Sequence, residues 1–304
     1  MDTGRASSGA GALSGDGRQR IGASTRIVAL LGDPVGHSLS PLLHNAAFAE
    51  QELDLVYLAC AVEVERLGAA MDGLWALGAR GANVTIPHKR GALMHAVEAT
   101  PTARALGAAN TLVRTESGWQ ADNTDVAGYL APLEPHRQRL AGAPVVVFGA
   151  GGAARAVAYG SSIGLGAAAV TVVARRPAQA EALAADLDAA TGGTELRVST
   201  PGDAADHVRE AALVVNATPL GMGDGRTPWP VASDFREGQI VYDLVYRPAR
   251  TPLLQIAGSQ GATSIGGLPM LLGQAADAYR QWTGRDFPHA VARAAALTAL
   301  GQDP

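Results

Sequence analysis

The turn Gly149-Ala150-Gly151-Gly152-Ala153-Ala154 constrains this chain more than any other feature. It follows the apolar run Ala143-Pro144-Val145-Val146-Val147-Phe148 and precedes a small-residue helical pattern over residues 155–161. A strand feeding a tight glycine turn and then a helix is the context in which G-x-G-x-x-G/A signals dinucleotide binding. Gly149 permits the turn, Gly151 lets backbone approach a pyrophosphate, and Ala154 keeps the helix against its strand. Ala150, Gly152 and Ala153 complete the loop, and the free N–H groups of the helix start face the phosphates. An ordinary glycine-rich connection carries similar letters but lacks the flanking strand and helix.

The next strand sharpens the cofactor. Residues 167–173 form a β-branched run ending in Ala174-Arg175-Arg176-Pro177. An NAD-binding unit usually places Asp or Glu here, about 20 residues past the turn, to accept the ribose 2′-OH. Residues 150–180 contain no acidic side chain; Glu181 is the first. A guanidinium fork suits a 2′-phosphate, so the pattern favours NADP. The alternative is a pair of solvated surface arginines.

Composition narrows the class. With 304 residues there is room for two domains, and at 47% hydrophobic and 17% charged the chain can bury a sizeable core. A net charge of -4 gives no footprint for nucleic acid. Cys60 is the single cysteine, which excludes an intrachain disulfide framework; a reducing cytoplasm is the simple expectation. The histidines show no metal-ligand spacing, so no metal is expected. No apolar run is long enough to span a bilayer, so no membrane partner is expected. Residues 1–25 are rich in Gly, Ser, Ala and Arg, lack the apolar stretch of a signal peptide, and read as a disordered leader.

Five alternating elements precede the glycine turn. Residues 27–31 read as a buried strand, and Ser40-Pro41 opens a helix with Ser at the N-cap and Pro at the first helical position. Residues 55–61 read as a strand. Residues 64–77 read as a helix with Val64, Leu67, Met71, Leu74 and Leu77 on one face, and residues 82–86 as a third strand closed by Pro87. This open α/β layer lies upstream of the nucleotide turn and is the natural place for a substrate.

Three polar clusters fall at element ends, where sites form. In His37-Ser38-Leu39-Ser40-Pro41, two hydroxyls beside a helix start suit a carboxylate; Ser40 is equally an N-cap and Ser38 a loop residue. In Asn83-Val84-Thr85-Ile86-Pro87-His88-Lys89, Asn83 and Thr85 share a strand face. Lys89 follows the strand end, where a partly buried ammonium can act as general acid or base; a solvated Lys is the plainer alternative, and His88 reads as a helix-start or surface histidine. The third cluster is Asn110-Thr111 with Asp122-Asn123-Thr124-Asp125, around a hairpin turning near residues 115–117. Asp125 precedes a helical pattern over residues 126–133 and also fits an N-cap.

In order, these motifs resemble the shikimate dehydrogenase family. The resemblance covers nearly everything after the leader: Gly32-Asp33-Pro34 with Ser38-Leu39-Ser40-Pro41 and His44-Asn45, the Asn83 to Lys89 cluster, Ala109-Asn110-Thr111, Asp122 to Asp125, and the glycine turn. It continues through Asn216-Ala217-Thr218-Pro219-Leu220-Gly221-Met222, Asp243-Leu244-Val245-Tyr246 with Thr251-Pro252, and Gly267-Leu268-Pro269-Met270 to Gln274. The family reduces 3-dehydroshikimate to shikimate with NADPH, in chorismate and aromatic amino-acid biosynthesis. The resemblance implies that Lys89 and Asp125 form the catalytic pair. Ser38 and Ser40 would hold the substrate carboxylate, and Asn83, Thr85, Asn110, Asp125 and Gln274 would line the ring and hydroxyls. Tyr246 would stand near substrate and nicotinamide. Asn216, Thr218, Met222 and Gly267 would lie beside the cofactor, and Arg175 would take the 2′-phosphate with Arg176 beside it. Ala174 stands where relatives commonly have Asn, which removes one adenosine-side contact.

The implied fold is α/β in two domains: an open substrate-binding domain of residues 26–125 and 266–304, and an inserted doubly wound Rossmann-like NADP-binding domain of residues 126–265. The final segment, residues 266–300, would be helical and pack back on the first domain, with substrate in the cleft between the two. A quinate/shikimate or aminoshikimate dehydrogenase is the close alternative; Ser40 and Arg175 favour shikimate and NADP. A non-catalytic NADP or quinate sensor would be expected to lack the Lys89 and Asp125 pair. An unrelated dinucleotide-binding module would not account for the earlier polar clusters. Either a monomer or a homodimer fits the composition.

Overall fold

The computed structural model describes residues 21–302. Of the leader expected at residues 1–25, residues 1–20 lie outside the described residues. Residues 21–25 are tied down instead: the Ser24 and Thr25 hydroxyls each donate a 2.6 Å hydrogen bond to the Asp54 carboxylate.

The chain forms two compact units. The first comprises the described parts of Met1–Glu98, Asn110–Ala121 and Ala278–Pro304; the second comprises Ala99–Ala109 and Asp122–Asp277.

In the first unit, strand β1 (Arg26–Gly32) leads through α1 (Ser40–Glu50) to β2 (Leu55–Ala61). Then come α2 (Leu67–Ala76), β3 (Gly81–Val84), α3 (Lys89–His95) and the short β4 (Glu98–Ala99). After α4 (Pro101–Leu106) the hairpin β5 (Thr111–Arg114) and β6 (Trp119–Asp122) completes the sheet. Its order is β2-β1-β3-β5-β6-β4. Strand β1 pairs in parallel with β2 and β3, and β3 pairs antiparallel with β5. The winding therefore reverses at β1, which puts a topological switch point at the carboxyl ends of β1 and β3.

Two expectations change here. Strand β3 ends at Val84, before Thr85. Residues 64–77 are not one helix: Val64–Arg66 form a separate 3-10 turn, whose tighter winding rotates Val64 off the α2 face. Val64 is 60% exposed and Leu77 75%, while Leu67 and Met71 are buried. Leu77 lies beyond the last turn of α2, before Gly78 leaves in the left-handed region at φ +76°.

The second unit contains α5 (Asp125–Leu130), α6 (Arg137–Leu140), β7 (Pro144–Phe148), α7 (Gly152–Tyr159), β8 (Ala169–Val173) and α8 (Pro177–Leu187). It continues with β9 (Glu195–Ser199), α9 (Ala205–Glu210), β10 (Leu213–Asn216), β11 (Ile240–Asp243), α10 (Pro252–Ser259) and β12 (Thr263–Ile265). The sheet runs β12-β11-β10-β7-β8-β9, all parallel. That is the doubly wound Rossmann order, with its reversal between β7 and β10. Alternate residues serve the two faces: Val145, Val147, Val170 and Val172 enter one core, and Val146, Phe148, Val173 and Val214 the other. Burial on both faces explains the unbroken apolar runs in the sequence.

The last segment is two helices, α11 (Leu268–Thr283) and α12 (His289–Ala299), separated by Gly284 at φ +70° and by Pro288. In the first unit α12 packs on α1. Helix α11 is shared: Tyr279 and Trp282 belong to the first unit, residues up to Asp277 to the second. The unit limits therefore differ from the expected 126–265. Leu106 of α4 enters the same core as Val145, and a Cβ on Gly128 of α5 would lie 2.6 Å from the Met270 carbonyl oxygen of α11. Packing thus draws α4 and the start of α11 into the second unit.

Candidate active site

In the first unit the predicted polar residues gather at the carboxyl ends of β1 and β3. Gly32 ends β1, and a Cβ there would lie 2.3 Å from the Thr85 methyl, so only glycine lets the two strand ends approach. Ser38 and Ser40 follow β1. The Ser38 hydroxyl accepts the Ser40 N–H at 3.2 Å, so Ser38 rather than Ser40 serves the free amide at the α1 start. Ser40 is buried. Lys89 is half-buried at the first position of α3. His88 is buried rather than superficial, with Nε2 2.7 Å from the Val62 carbonyl oxygen.

Asn83 and Asn110 are both buried in this unit. Asn83 Nδ2 donates to the Asn110 carbonyl at 3.1 Å and to Thr111 Oγ1 at 3.2 Å, and Thr111 Oγ1 donates to Asn110 Oδ1 at 3.0 Å. The Tyr57 hydroxyl donates to Asn83 Oδ1 at 2.7 Å. His44 stacks on Tyr57 with ring centroids 4.6 Å apart. Complete burial pushes the His44 pKa down to about 3 and raises that of Tyr57. Sequence reasoning assigned Tyr57 no role. The available signal was a lone phenol at an inward position of an apolar strand, which needs a hydrogen-bond partner when buried.

In the second unit, Asp125 is a buried residue opening α5. It is not its own cap: its N–H donates to Asn123 Oδ1 at 3.2 Å, and Asn123 Nδ2 donates to the Ala108 carbonyl at 2.9 Å. One turn on, a Cβ on Gly128 would lie 2.8 Å from the Gln274 Cβ, so α5 and α11 meet with Asp125 and Gln274 on neighbouring turns. Gln274 is half-buried and its Nε2 donates to the Leu271 carbonyl at 3.2 Å.

The glycine turn sits at the second switch point. Gly149 has φ +114°, and a Cβ there would lie 2.9 Å from the Ala217 carbonyl oxygen at the end of β10. Gly151 and Gly152 are exposed and have open space where a Cβ would stand, while Ala154 is fully buried under α7. Ala150 and Ala153 are half-buried beside them. Arg175 and Arg176 are exposed at the end of β8, and neither forms an ion pair among the described residues.

Behind this turn lies a saturated polar network. Asn216 Nδ2 donates to the Leu220 carbonyl at 3.0 Å and to Asp243 Oδ1 at 2.8 Å; its Oδ1 accepts the Thr218 N–H and hydroxyl at 3.0 and 2.6 Å. The Thr251 hydroxyl donates to Asp243 Oδ2 at 2.6 Å and caps α10. Burial raises the Asp243 pKa against these hydrogen bonds. Gly267 presses on the strand after β11: a Cβ would lie 2.1 Å from the Leu244 carbonyl oxygen. Tyr246 is half-buried with its phenol pKa raised by burial, and Met222 is 58% exposed on the loop after β10.

These features fit a pyridine dinucleotide. Open backbone at Gly151 and Gly152, the amides of α7 and two unpaired guanidinium groups in place of a carboxylate match a pyrophosphate and a 2′-phosphate. Among the described residues, no three His, Cys, Asp or Glu side chains form a metal-binding group, and no helix is long and apolar enough to cross a membrane. Fold and site define an α/β protein with a Rossmann-type dinucleotide-binding unit and a second open-sheet unit rich in buried polar side chains.

The shikimate dehydrogenase substrate binding domain matches residues 30–112, and the shikimate 5'-dehydrogenase C-terminal domain matches residues 267–297. A protein of Salinibacter ruber named shikimate dehydrogenase (NADP(+)) is 54% identical over 89% of this chain and 96% of its own. The crystal structure of shikimate 5-dehydrogenase from Listeria monocytogenes, in complex with shikimate and NAD, has a TM-score of 0.86 at 32% identity and covers 91% of this chain and 98% of its own. That of the Thermus thermophilus enzyme, in complex with NADP(H) and shikimate, has a TM-score of 0.80 at 37% identity over 90% and 100%. The chain belongs to the shikimate dehydrogenase family.

Proposed function

We propose that this protein is an NADP-dependent oxidoreductase that interconverts shikimate and 3-dehydroshikimate. The observation that carries the reading is the hydroxyl, amide and ammonium set of Ser38, Ser40, Asn83, Thr85 and Lys89 at the carboxyl ends of β1 and β3, in a chain 54% identical to a named shikimate dehydrogenase. Bound NADPH supplies hydride to the C3 ketone carbon. Ser38 and Ser40 hold the carboxylate. Asn83, Thr85, Asn110 and Gln274 contact the ring hydroxyls. The Lys89 ammonium gives its proton to the carbonyl oxygen as charge develops there and takes it back in the oxidation direction. Asp125, the second member of the catalytic pair, binds a ring hydroxyl. Tyr246 lies by the nicotinamide.

On the cofactor side, Gly149 to Ala153 present backbone to the pyrophosphate, and Arg175 and Arg176 take the 2′-phosphate. Asn216 and Thr218 shape the loop that carries Met222, because their polar atoms are already engaged with each other and with Leu220 and Asp243. Gly267 lets the chain after β12 close on Leu244. The chain works on this small molecule in the cytoplasm, as a monomer or homodimer.

Nicotinamide absorbance with shikimate and NADP tests the reading, with NAD and quinate in parallel. Turnover of shikimate with NADP supports it. Faster turnover with quinate or NAD replaces the specificity, and no turnover by a folded, NADP-binding protein replaces the enzyme with a sensor.

A further inference from the structure

We propose that Tyr57 is a positioning residue that fixes how Asn83 faces the substrate, making Asn83 a hydrogen-bond acceptor for a ring hydroxyl. The inference rests on the shikimate reading above. Tyr57 is 1% exposed. Its hydroxyl donates to Asn83 Oδ1 at 2.7 Å.

The amide of Asn83 has only one workable orientation. Its Nδ2 faces the Asn110 carbonyl oxygen at 3.1 Å and Thr111 Oγ1 at 3.2 Å. A flipped amide would set two carbonyl oxygens against each other and leave both donors misplaced. With both N–H groups used inside the unit, Asn83 keeps one open position, the second lone pair of Oδ1. It can accept from a hydroxyl and cannot donate to one.

The packing around Tyr57 suits this role. His44 lies flat against the phenol ring, with an interplanar angle of 9°, and neither of its ring nitrogens makes a hydrogen bond. Trp282 adds a tilted contact at 6.2 Å. Both rings orient the phenol without competing for its hydroxyl.

The test is Tyr57→Phe, which removes one oxygen and keeps the ring. We expect KM for shikimate to rise about tenfold, the size of one buried hydrogen bond, with kcat and KM for NADP within about twofold. Combined with Asn83→Ala, Tyr57→Phe adds no further rise, because it acts through Asn83. An unchanged KM, or effects that simply multiply, overturns the proposal.

An independent readout uses protein labelled with 15N-asparagine. The Asn83 side-chain amide protons are protected from exchange in the wild type and lose protection in Tyr57→Phe. Free exchange in the wild type overturns the proposal outright, even if the variant does not fold. If the wild type does not oxidise shikimate, the functional reading falls and the amide exchange alone decides the role of Tyr57.

Discussion

In the first unit the candidate site is made of side chains, whereas in the second it is made mostly of backbone. Around β1 and β3, Ser40, Asn83 and Asn110 are buried, and the Tyr57 hydroxyl bonds Asn83. At β7 and β10 the surface proposed to face the cofactor is Gly149 to Gly152, and the polar side chains Asn216 and Asp243 sit behind it, saturated by one another. The difference follows from the ligands proposed for each. A small ring acid differs from its rivals by single hydroxyls, which side chains discriminate through donors and acceptors. A pyrophosphate is common to every dinucleotide and needs only close backbone and a helix start. The first unit should therefore respond to changes in functional groups, and the second to added atoms.

The largest effect is expected at Lys89. Lys89→Ala should lower kcat with shikimate by about a hundredfold to ten-thousandfold, with little change in KM. Steady-state rates check this, and near-normal kcat would remove Lys89 from the chemistry.

Next is stability in the second unit, where glycines with different surroundings separate structure from binding. Gly149→Ala meets the Ala217 carbonyl oxygen at 2.9 Å in a backbone conformation with φ +114°. Urea unfolding should show a loss of about 2–3 kcal/mol. Gly151→Ala meets nothing within 4 Å, so stability should change by less than about 0.5 kcal/mol, while KM for NADP rises about tenfold. Equal stability effects at the two positions would break the separation of structure from binding within the second unit.

Acid sensitivity belongs to the first unit. His44 is neutral when folded, with its pKa at about 3 against 6.5 in the unfolded chain. The unfolded state binds the extra proton, so the His44 contribution is present above pH 6.5 and is lost as pH falls toward 3. Between pH 7 and pH 5 this amounts to about 2 kcal/mol, and His44→Phe should remove that share of the slope in urea titrations. The buried Asp243 has the opposite sign. Its pKa is raised, so its contribution is present below the ordinary carboxylate range and lost as pH rises through the raised value.

The smallest effect concerns one phosphate. Arg175→Ala should raise KM for NADP about tenfold and leave KM for NAD unchanged, which assays with both cofactors read directly. An equal rise for both would assign Arg175 to the pyrophosphate or to general charge.

Much of the fold was legible because its signals are local. Ser40-Pro41 opens α1 as the sequence suggests, although Ser38 supplies the side-chain hydrogen bond there. The parallel strands show as apolar runs, and the glycine turn shows as letters in a strand–turn–helix context. Residues 64–77 failed as one helix because periodicity does not register a 3-10 turn, and the compact units divide elsewhere than at 126–265 because Leu106 and Gly128 find their partners far along the chain.

The sequence by itself determined the order of elements, the nucleotide turn, the arginines that replace an acidic residue, and the family. Tertiary structure alone decided which polar groups are spent. Asn216 is consumed by Asp243, 27 residues away, and Asn83 by Tyr57 on one side and Asn110 on the other. A side chain's free donors and acceptors are what remains after its neighbours are satisfied, and those neighbours are set by packing across the sheet rather than along the chain.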